Sequence, residues 1–387
     1  MIITVVSDVL GAENNGTTIA AMNLIRHLKG QGHTVRILCA DQDKKGEENY
    51  YIVPTLNLGK PLNRYVQKIG VSLSKPEKDT IKKALEGADI VHIMFPFLLA
   101  FKAAKMAHEM KIPITAGFHM QAQNFTSYIK MNWCRPANHA VYKIAWRKLY
   151  RYVDAIHYPT EFIRNIFEKE IKKQTNGYVI SNGVHSYVEK RFAEKPSDIK
   201  HKTLILTTGR YSREKAQDVL IKAISHSRHK DEIQLVLAGQ GVKKKHYIKL
   251  SKKLPVPPIF KLYSRHELID ILNSCDLYVH PAEMELEGIA CLEAIACGKL
   301  TVVSDSSLSA TKNFAADSRC IFKAGNPKDL ARVIDYFIEN PKEKEICEQK
   351  YLESAHIFSQ EDCMREMEQM LIDVYREKAE RKEENIL

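Results

Sequence analysis

The chain has 387 residues, 44% of them hydrophobic, and a net charge of +11. That length exceeds one ordinary core, so two domains are expected. Eight cysteines (39, 134, 275, 291, 297, 320, 347 and 363) are scattered with no C-x-x-C pair and read as small core residues in a reducing compartment. The N-terminus, MIITVVSDVLG, has no basic n-region and runs into a Gly/Asn-rich turn, so it reads as a first strand rather than a signal peptide. The longest apolar run, Ile90–Phe101, is interrupted by His92 and Pro96 and falls short of a membrane span. A cytoplasmic protein without a transmembrane helix is expected. Residues 1–182 carry 25 Lys+Arg against 15 Asp+Glu, a net +10, which leaves +1 for the remainder. One half of the molecule is therefore suited to an anionic partner, or stays soluble by repulsion.

Met1–Ser7 reads as a buried parallel strand. After the turn Gly11–Thr18, residues Ile19, Ala20, Leu24, Ile25 and Leu28 fall at helical spacing, ended by Gly30 and Gly32. Val35–Ala40 is the next strand, completing the opening of a doubly wound nucleotide fold. No G-x-G-x-x-G is present, so a dinucleotide site is not expected. Asp41-Gln42-Asp43 matches a D-x-D triplet but follows a strand where a polar turn belongs; no metal is expected there. Asp89–Phe95 and Ile112–Phe118 are further strands, the second ending at His119. A histidine just past a strand's carboxyl end lies in the crevice where α/β sheets bind ligands. Its neutral ring can donate to a sugar hydroxyl or support a developing positive charge.

Residues 110–153 contain no Asp or Glu. They carry Lys111, Lys130, Arg135, Lys143, Arg147, Lys148 and Arg151, interleaved with Phe125, Tyr128, Trp133, Tyr142, Trp146, Tyr150 and Tyr152. Lys143, Trp146, Arg147, Lys148 and Arg151 form a patch suited to the headgroup layer of an anionic membrane. A core helix with a cationic solvent face fits equally well. Nucleic acid is set aside, because no binding motif accompanies the charge.

Asp154–Glu161 and Tyr178–Val184 (YVISNGV) complete the first domain's pattern, and a lysine-rich linker runs from 184 to 202. The second domain opens with Thr203–Thr208, then GRYSREK, where Arg210 and Lys215 put two cations in a strand-to-helix loop. Gln234–Ala238 and Pro258–Tyr263 are further strands, the latter followed by Ser264-Arg265-His266. The stretch His280–Val303 follows a short strand, Leu277–Val279. It places Glu285 and Glu293 seven residues apart, with Gly288 between them and a helical run from Ile289 to Cys297. A helix starting at Gly288, with Ile289 and Ala290 in its first turn, aims unpaired N–H groups at an anion. Carboxylates beside an anion site suit sugar hydroxyls, since an ionised carboxylate is an acceptor-only partner. From Glu361 a charged helix carries Met364, Met367, Leu371 and Val374 on one stripe.

These phrases, in this order and spacing, resemble the family 4 glycosyltransferases, retaining enzymes of the GT-B fold. The resemblance implies an α/β protein of two Rossmann-like doubly wound domains facing a cleft. They would be an acceptor-side domain at 1–183, a linker at 184–202, and a nucleotide-sugar domain at 203–387. The last helix, about 361–380, would return to the first domain. It implies that Gly16 and Thr17 sit in the acceptor-side loop, although Asn15-Gly16 stands where the family shows paired glycines. It puts His119 near the donor sugar, Arg210 and Lys215 on the diphosphate, and the strand and loop bearing Tyr263 and Arg265 near the base. Glu285 would contact the donor sugar and Glu293 the ribose, with Gly288, Ile289 and Ala290 beside the donor. His185 replaces the Asp that usually follows the Asn-Gly phrase. No metal is implied, the leaving phosphate helping to take the acceptor's proton. The implied donor is a nucleotide sugar, with UDP-glucose or another UDP-hexose leading. The phrase around Glu285 also resembles that of bacterial diacylglycerol glucosyltransferases. With the cationic first domain, this makes a membrane lipid such as diacylglycerol or a glycolipid the leading acceptor, and the inner face of the cell membrane the leading location. A soluble or polysaccharide acceptor, or a non-transferase GT-B protein that binds nucleotide sugars, is the alternative.

Overall fold

The computed structural model describes every residue except 9, 11–15, 58, 60–72, 129–130, 132–133 and 385–387. The chain forms two compact units, one of residues 1–182 with 363–387, the other of residues 183–362.

The first unit is built on seven strands: β1 (Ile2–Val6), β2 (Thr34–Cys39), β3 (Tyr50–Ile52), β4 (Ile90–Ile93), β5 (Ile114–Gly117), β6 (Ala155–Tyr158) and β7 (Gly177–Val179). All pair in parallel, in the order β3-β2-β1-β4-β5-β6-β7. Helices cover both faces of such a sheet, which is why the central strands read as unbroken apolar runs. The order reverses between β1 and β4, where a doubly wound sheet opens a crevice at its carboxyl edge.

The second unit repeats the plan with β8 (Thr203–Thr208), β9 (Ile233–Ala238), β10 (Ile259–Lys261), β11 (Leu277–His280), β13 (Thr301–Ser304) and β15 (Ile321–Phe322), ordered β10-β9-β8-β11-β13-β15. Its switch point lies between β8 and β11. A two-stranded ribbon, β12 (Met284–Glu285) with β14 (Leu308–Ser309), stands beyond the end of β11 and carries Glu285.

Every strand read from the sequence is present. The strands not foreseen are β3, β12, β14 and β15, of two or three residues each, too short for a periodic signal. The stretch 184–202, read as a linker, packs into the second unit, where Val184, Val188 and Ile199 join the core. The final helix, Gln360–Glu384, places Cys363, Met364, Met367, Met370, Leu371 and Val374 in the first unit's core beside Leu24, Leu28 and Ile37. Glu368 bonds His27 and His33 at 2.9 and 2.8 Å, and Lys378 Nζ reaches Asp154 at 2.7 Å. The return of the last helix to the first domain is thus observed. Among the described residues no helix is long and apolar enough to cross a membrane.

Candidate functional site

The second unit's switch point gathers most of the singled-out residues. β8 ends at Thr208, and the next loop carries Arg210 and Lys215. β11 ends at His280, and five residues on stands Glu285. Lys215 Nζ bonds Glu285 Oε1 directly. The same oxygen meets His280 Nε2 at 2.8 Å. Behind it His280 Nδ1 meets Tyr278 OH at 3.2 Å, which meets Thr208 Oγ1 at 2.8 Å. A hydrogen-bonded chain therefore runs from β8 through β11 to the ribbon. Burial pushes the Glu285 carboxyl up, but the Lys215 ammonium and the His280 hydrogen bond outweigh it and bring it down to about 2. Glu285 is thus held ionised and oriented in a site 12% exposed.

Gly288 permits the next turn. Its φ is +92°, and a Cβ there would stand 2.6 Å from Thr311 Cγ2, so any side chain would be both strained and blocked. Gly288 caps the helix Ile289–Ala296 without a side-chain cap. The Ile289 and Ala290 N–H groups have no hydrogen-bond partner among the described residues, and both residues are half-buried. Glu293, one turn further, bonds Arg265 Nη2 at 2.6 Å. Arg265 lies 5.5 Å over the Tyr187 ring, and Tyr263, half-buried, lies under the Lys261 ammonium at 4.6 Å. Both carboxylates of the Glu285/Glu293 pair are therefore matched by a cation from another loop. Arg210 is the exception. It is 54% exposed and pairs with Glu214 at 3.2 Å, without touching Glu285 or Glu293.

In the first unit His119 follows β5 and is 7% exposed. Its ring folds over Gly117, whose added Cβ would lie 2.6 Å from Nε2. It stands edge-on to His157, 5.4 Å away. His157 Nε2 donates to Ile180 O at 2.7 Å, and His92 Nδ1 meets Thr115 Oγ1 at 2.9 Å. His92 Nε2, His119 Nε2 and His157 Nδ1 have no partner among the described residues. Burial, with His157 and His92 nearby, holds His119 far below the usual histidine range. It also lowers His92 to about 3 and His157 to about 4. Asp8, at the carboxyl end of β1, accepts from Ser74 N at 3.0 Å and is raised by burial to about 6.

Of the acceptor-side loop, 11–15 lie outside the described residues, and Gly16 and Thr17 open the helix Gly16–Gly30. The basic-aromatic segment divides. On the helix Arg135–Lys148, Tyr142 is buried, as is Tyr150 just beyond it. Both pack with Phe118 and Phe167 in the core. Lys143, Arg147, Lys148 and Arg151 are exposed, with Ile144 at 54%, while Trp146 is half-buried under Lys173. Two of the segment's rings therefore serve the core, and these cations form the solvent face. Lys130 and Trp133 lie outside the described residues.

Among the described residues one group has donors close enough for a metal: Asp317, Cys320 and Cys347, within 4.8 Å of one another. Asp317 already bonds Arg319 at 2.7 Å and Lys350 at 3.1 Å, which disfavours a third positive charge there. Asp41 of the D-x-D triplet is buried and accepts from Leu10 N at 2.8 Å.

Sequence reasoning missed His280, Tyr278 and Thr208. The strand-end position that singled out His119 also marks His280, but only the fold shows it bonded to Glu285.

Residues 14–186 match the family model for Glycosyltransferase Family 4, and residues 188–352 that for glycosyl transferases group 1. The chain belongs to the family 4 glycosyltransferases. This transferase is 25% identical over 298 residues to a GDP-mannose-dependent alpha-mannosyltransferase of Corynebacterium glutamicum, covering 74% of this chain and 68% of that protein. It is 26% identical over 308 residues to alpha-monoglucosyldiacylglycerol synthase of Streptococcus pneumoniae, covering 73% and 66%. The match thus spans about two thirds of each relative's own length. The Anabaena HepE protein, crystallised with UDP, superposes with a TM-score of 0.74 at 15% identity, over 96% of this chain and all of that one. The transferase has the GT-B fold.

Proposed function

We propose that this transferase moves a hexose from a UDP-sugar to a membrane lipid such as diacylglycerol or a glycolipid, with retention and without a metal. One observation carries the reading: at the second unit's switch point Glu285 and Glu293 are ionisable acceptors locked by Lys215 and Arg265, beside free helix N–H groups. In this reading Glu285 accepts from the donor sugar's hydroxyls and Glu293 from the ribose. Lys215 is held by Glu285, so an incoming diphosphate meets an ammonium fixed in place. Arg210, exposed on the same loop, closes on the phosphate from the solvent side. The Ile289 and Ala290 N–H groups take a phosphate oxygen. Two cations and a helix end thus supply the charge a metal would otherwise bring. In the first unit, His119 offers a neutral ring to a hydroxyl. A lipid acceptor is supported by the name of the pneumococcal relative and by the exposed cations Lys143, Arg147, Lys148 and Arg151. Both support a peripheral position on the membrane's inner face.

Thermal unfolding with UDP, GDP and ADP, in the parent and in Glu293→Ala, tests the donor site. A nucleotide at about 100 times its Kd adds roughly 2.7 kcal/mol. UDP alone should stabilise the parent, and the variant should lose the effect. Stabilisation by GDP instead would turn the donor to GDP-mannose, the donor named for the corynebacterial relative. Transfer to diacylglycerol vesicles from UDP-glucose, unaffected by EDTA, tests the rest. Transfer to a soluble saccharide alone would remove the lipid.

A further inference from the structure

The second unit's near-neutral balance hides a local excess. Residues 233–266 contain no Asp or Glu but hold Lys243, Lys244, Lys245, Lys249, Lys252, Lys253, Lys261 and Arg265. Six of these lysines lie on or beside one helix, Lys244–Ser251. Its inner face is Tyr247, Leu250 and Ser251, continued by Leu254, all turned to the core. Its outer face is two rows at helical spacing, Lys244–Ile248–Lys252 and Lys245–Lys249. Ile248 is 41% exposed among these four lysines, and Val242, just before the helix, is 68% exposed. The Gly239 N–H donates to Lys261 O at 2.8 Å, setting the loop that leads to Val242 beside the end of β10, where Leu262 is 60% exposed. None of Lys243, Lys244, Lys245, Lys249, Lys252 or Lys253 has an acidic partner among the described residues. Lys195, Lys215, Lys222, Lys261, Lys344 and Lys350 of the same unit are paired. Among the described residues others, such as Lys200, Lys230 and Lys328, are not, but they are scattered, whereas the six unpaired lysines named first lie on or beside one helix.

This arrangement works against the helix that carries it. Lys245 and Lys249 repel at i, i+4. Lys243 to Lys245 crowd the positive end of the dipole, where no acid stands in the first turn. A local conflict of this kind, kept without an internal partner, points to an external one. Lysines with exposed aliphatic side chains between them match an anionic bilayer, where ammonium groups meet phosphates and Ile248 and Val242 enter the interface. Nucleic acid is the weaker match, because the face offers no arginine fork and no exposed Phe, Tyr or Trp. At its start the helix borders a cavity of about 320 Å³ lined by Arg213, Asp218, Lys243, His246 and Tyr247. Asp218 there is engaged by Lys222 at 2.9 Å, leaving a cationic rim.

We propose that the outer face of the Lys244–Ser251 helix, with Val242 and Leu262, is a second membrane-contact surface of the transferase, specific for anionic lipid and separate from the first unit's Lys143–Arg151 face. The choice of partner rests on the reading that the acceptor is a membrane lipid; the cluster itself does not.

The test is co-sedimentation of the full chain with phosphatidylglycerol/phosphatidylcholine vesicles, and with phosphatidylcholine alone. One variant replaces Lys244, Lys245, Lys249 and Lys252 with Gln, a second replaces the same four with Arg, and a third is Arg147→Gln with Lys148→Gln. Each lysine at an anionic surface multiplies partitioning roughly fivefold. The Gln variant should therefore lose about tenfold or more at low salt, and the Arg variant should keep parental binding. Loss in the Gln variant alone supports this surface whatever happens to the first unit's face. Parental binding in the Gln variant overturns it, and leaves the lipid-acceptor reading standing if the Arg147/Lys148 variant binds less. A parent that ignores phosphatidylglycerol overturns both. Release of the parent by millimolar inorganic phosphate, or Gln-variant loss seen with duplex DNA and not with vesicles, assigns the cluster to another ligand and also overturns the proposal.

Discussion

The two Rossmann-like units share one strand order and hold their buried polar groups by opposite means. In the second, Glu285 is held ionised at 12% exposure and Glu293 is buried, each bonded to a cation that a different loop delivers. In the first, His92, His119 and His157 are buried and neutral, each with a ring nitrogen that no described residue meets. The topology sets where polar side chains collect, at the carboxyl ends of the strands. Whether they carry charge depends on the next loop: GRYSREK brings Lys215 to its switch point, and among the described residues nothing comparable reaches the three imidazoles. An ionised site is suited to gripping a charged donor. A neutral one is suited to sharing hydrogen bonds with hydroxyls.

The sharpest way to break that contrast is Lys215→Ala. Removing the counter-ion leaves Glu285 buried with His280 alone. The second unit should lose about 3 kcal/mol in urea unfolding, and the Glu285 carboxyl should climb from its depressed value. Unchanged stability would mean the pair is not what fixes the site. Acid comes next. His92 and His157 have folded values of about 3 and 4 against 6.5 for the ordinary group. The unfolded chain therefore takes up protons first, and stability drains as pH falls from 6.5 towards 4. At pH 5 this amounts to roughly 2 kcal/mol for each ring. Glu285, depressed from 4.5 to about 2, costs stability only as pH falls through that lower window. The first unit should thus unfold before the second. Both tryptophans, Trp133 and Trp146, belong to residues 1–182, so their fluorescence should change at a higher pH than the far-UV dichroism of the whole chain. Coincident transitions would erase the distinction. Gly117→Ala should have a smaller effect, about 1–3 kcal/mol, by driving a methyl against the His119 ring. A shift of the His119 ring resonances would report the displacement. Arg210→Ala should be the mildest, at most about 0.5 kcal/mol, because its pair with Glu214 is solvent-exposed. It should nonetheless weaken nucleotide-sugar stabilisation.

The fold was legible because its central strands are continuous apolar runs, as in Leu277–Val279 and, after the turn at Gly298, Leu300–Val303. The Glu285/Glu293 pair was legible because Gly288 and the helical run after it announce a helix start. What escaped was lateral. His280 lies five residues from Glu285 in sequence, yet its meaning depends on the ribbon β12–β14, whose two-residue strands have no pattern to read. Tyr142 and Tyr150 looked interfacial because spacing along one helix does not say which side faces Phe118. The lysines around Ile248 were averaged away by the acidic remainder of the second half.

The chain passes between the units twice, at 182/183 and at 362/363. Met364, Met367, Met370 and Leu371 fill the first unit's core, so the part of the protein made first is finished last. At 5–20 residues per second, roughly 9 to 36 seconds separate emergence of residue 182 from that of residue 363. Throughout that interval the nascent first unit has an open apolar seam where those methionines belong. The second unit, contiguous from 183 to 362, needs no such wait. In the cell, the time at greatest risk of aggregation is therefore the translation of the second unit, although the sticky surface belongs to the first.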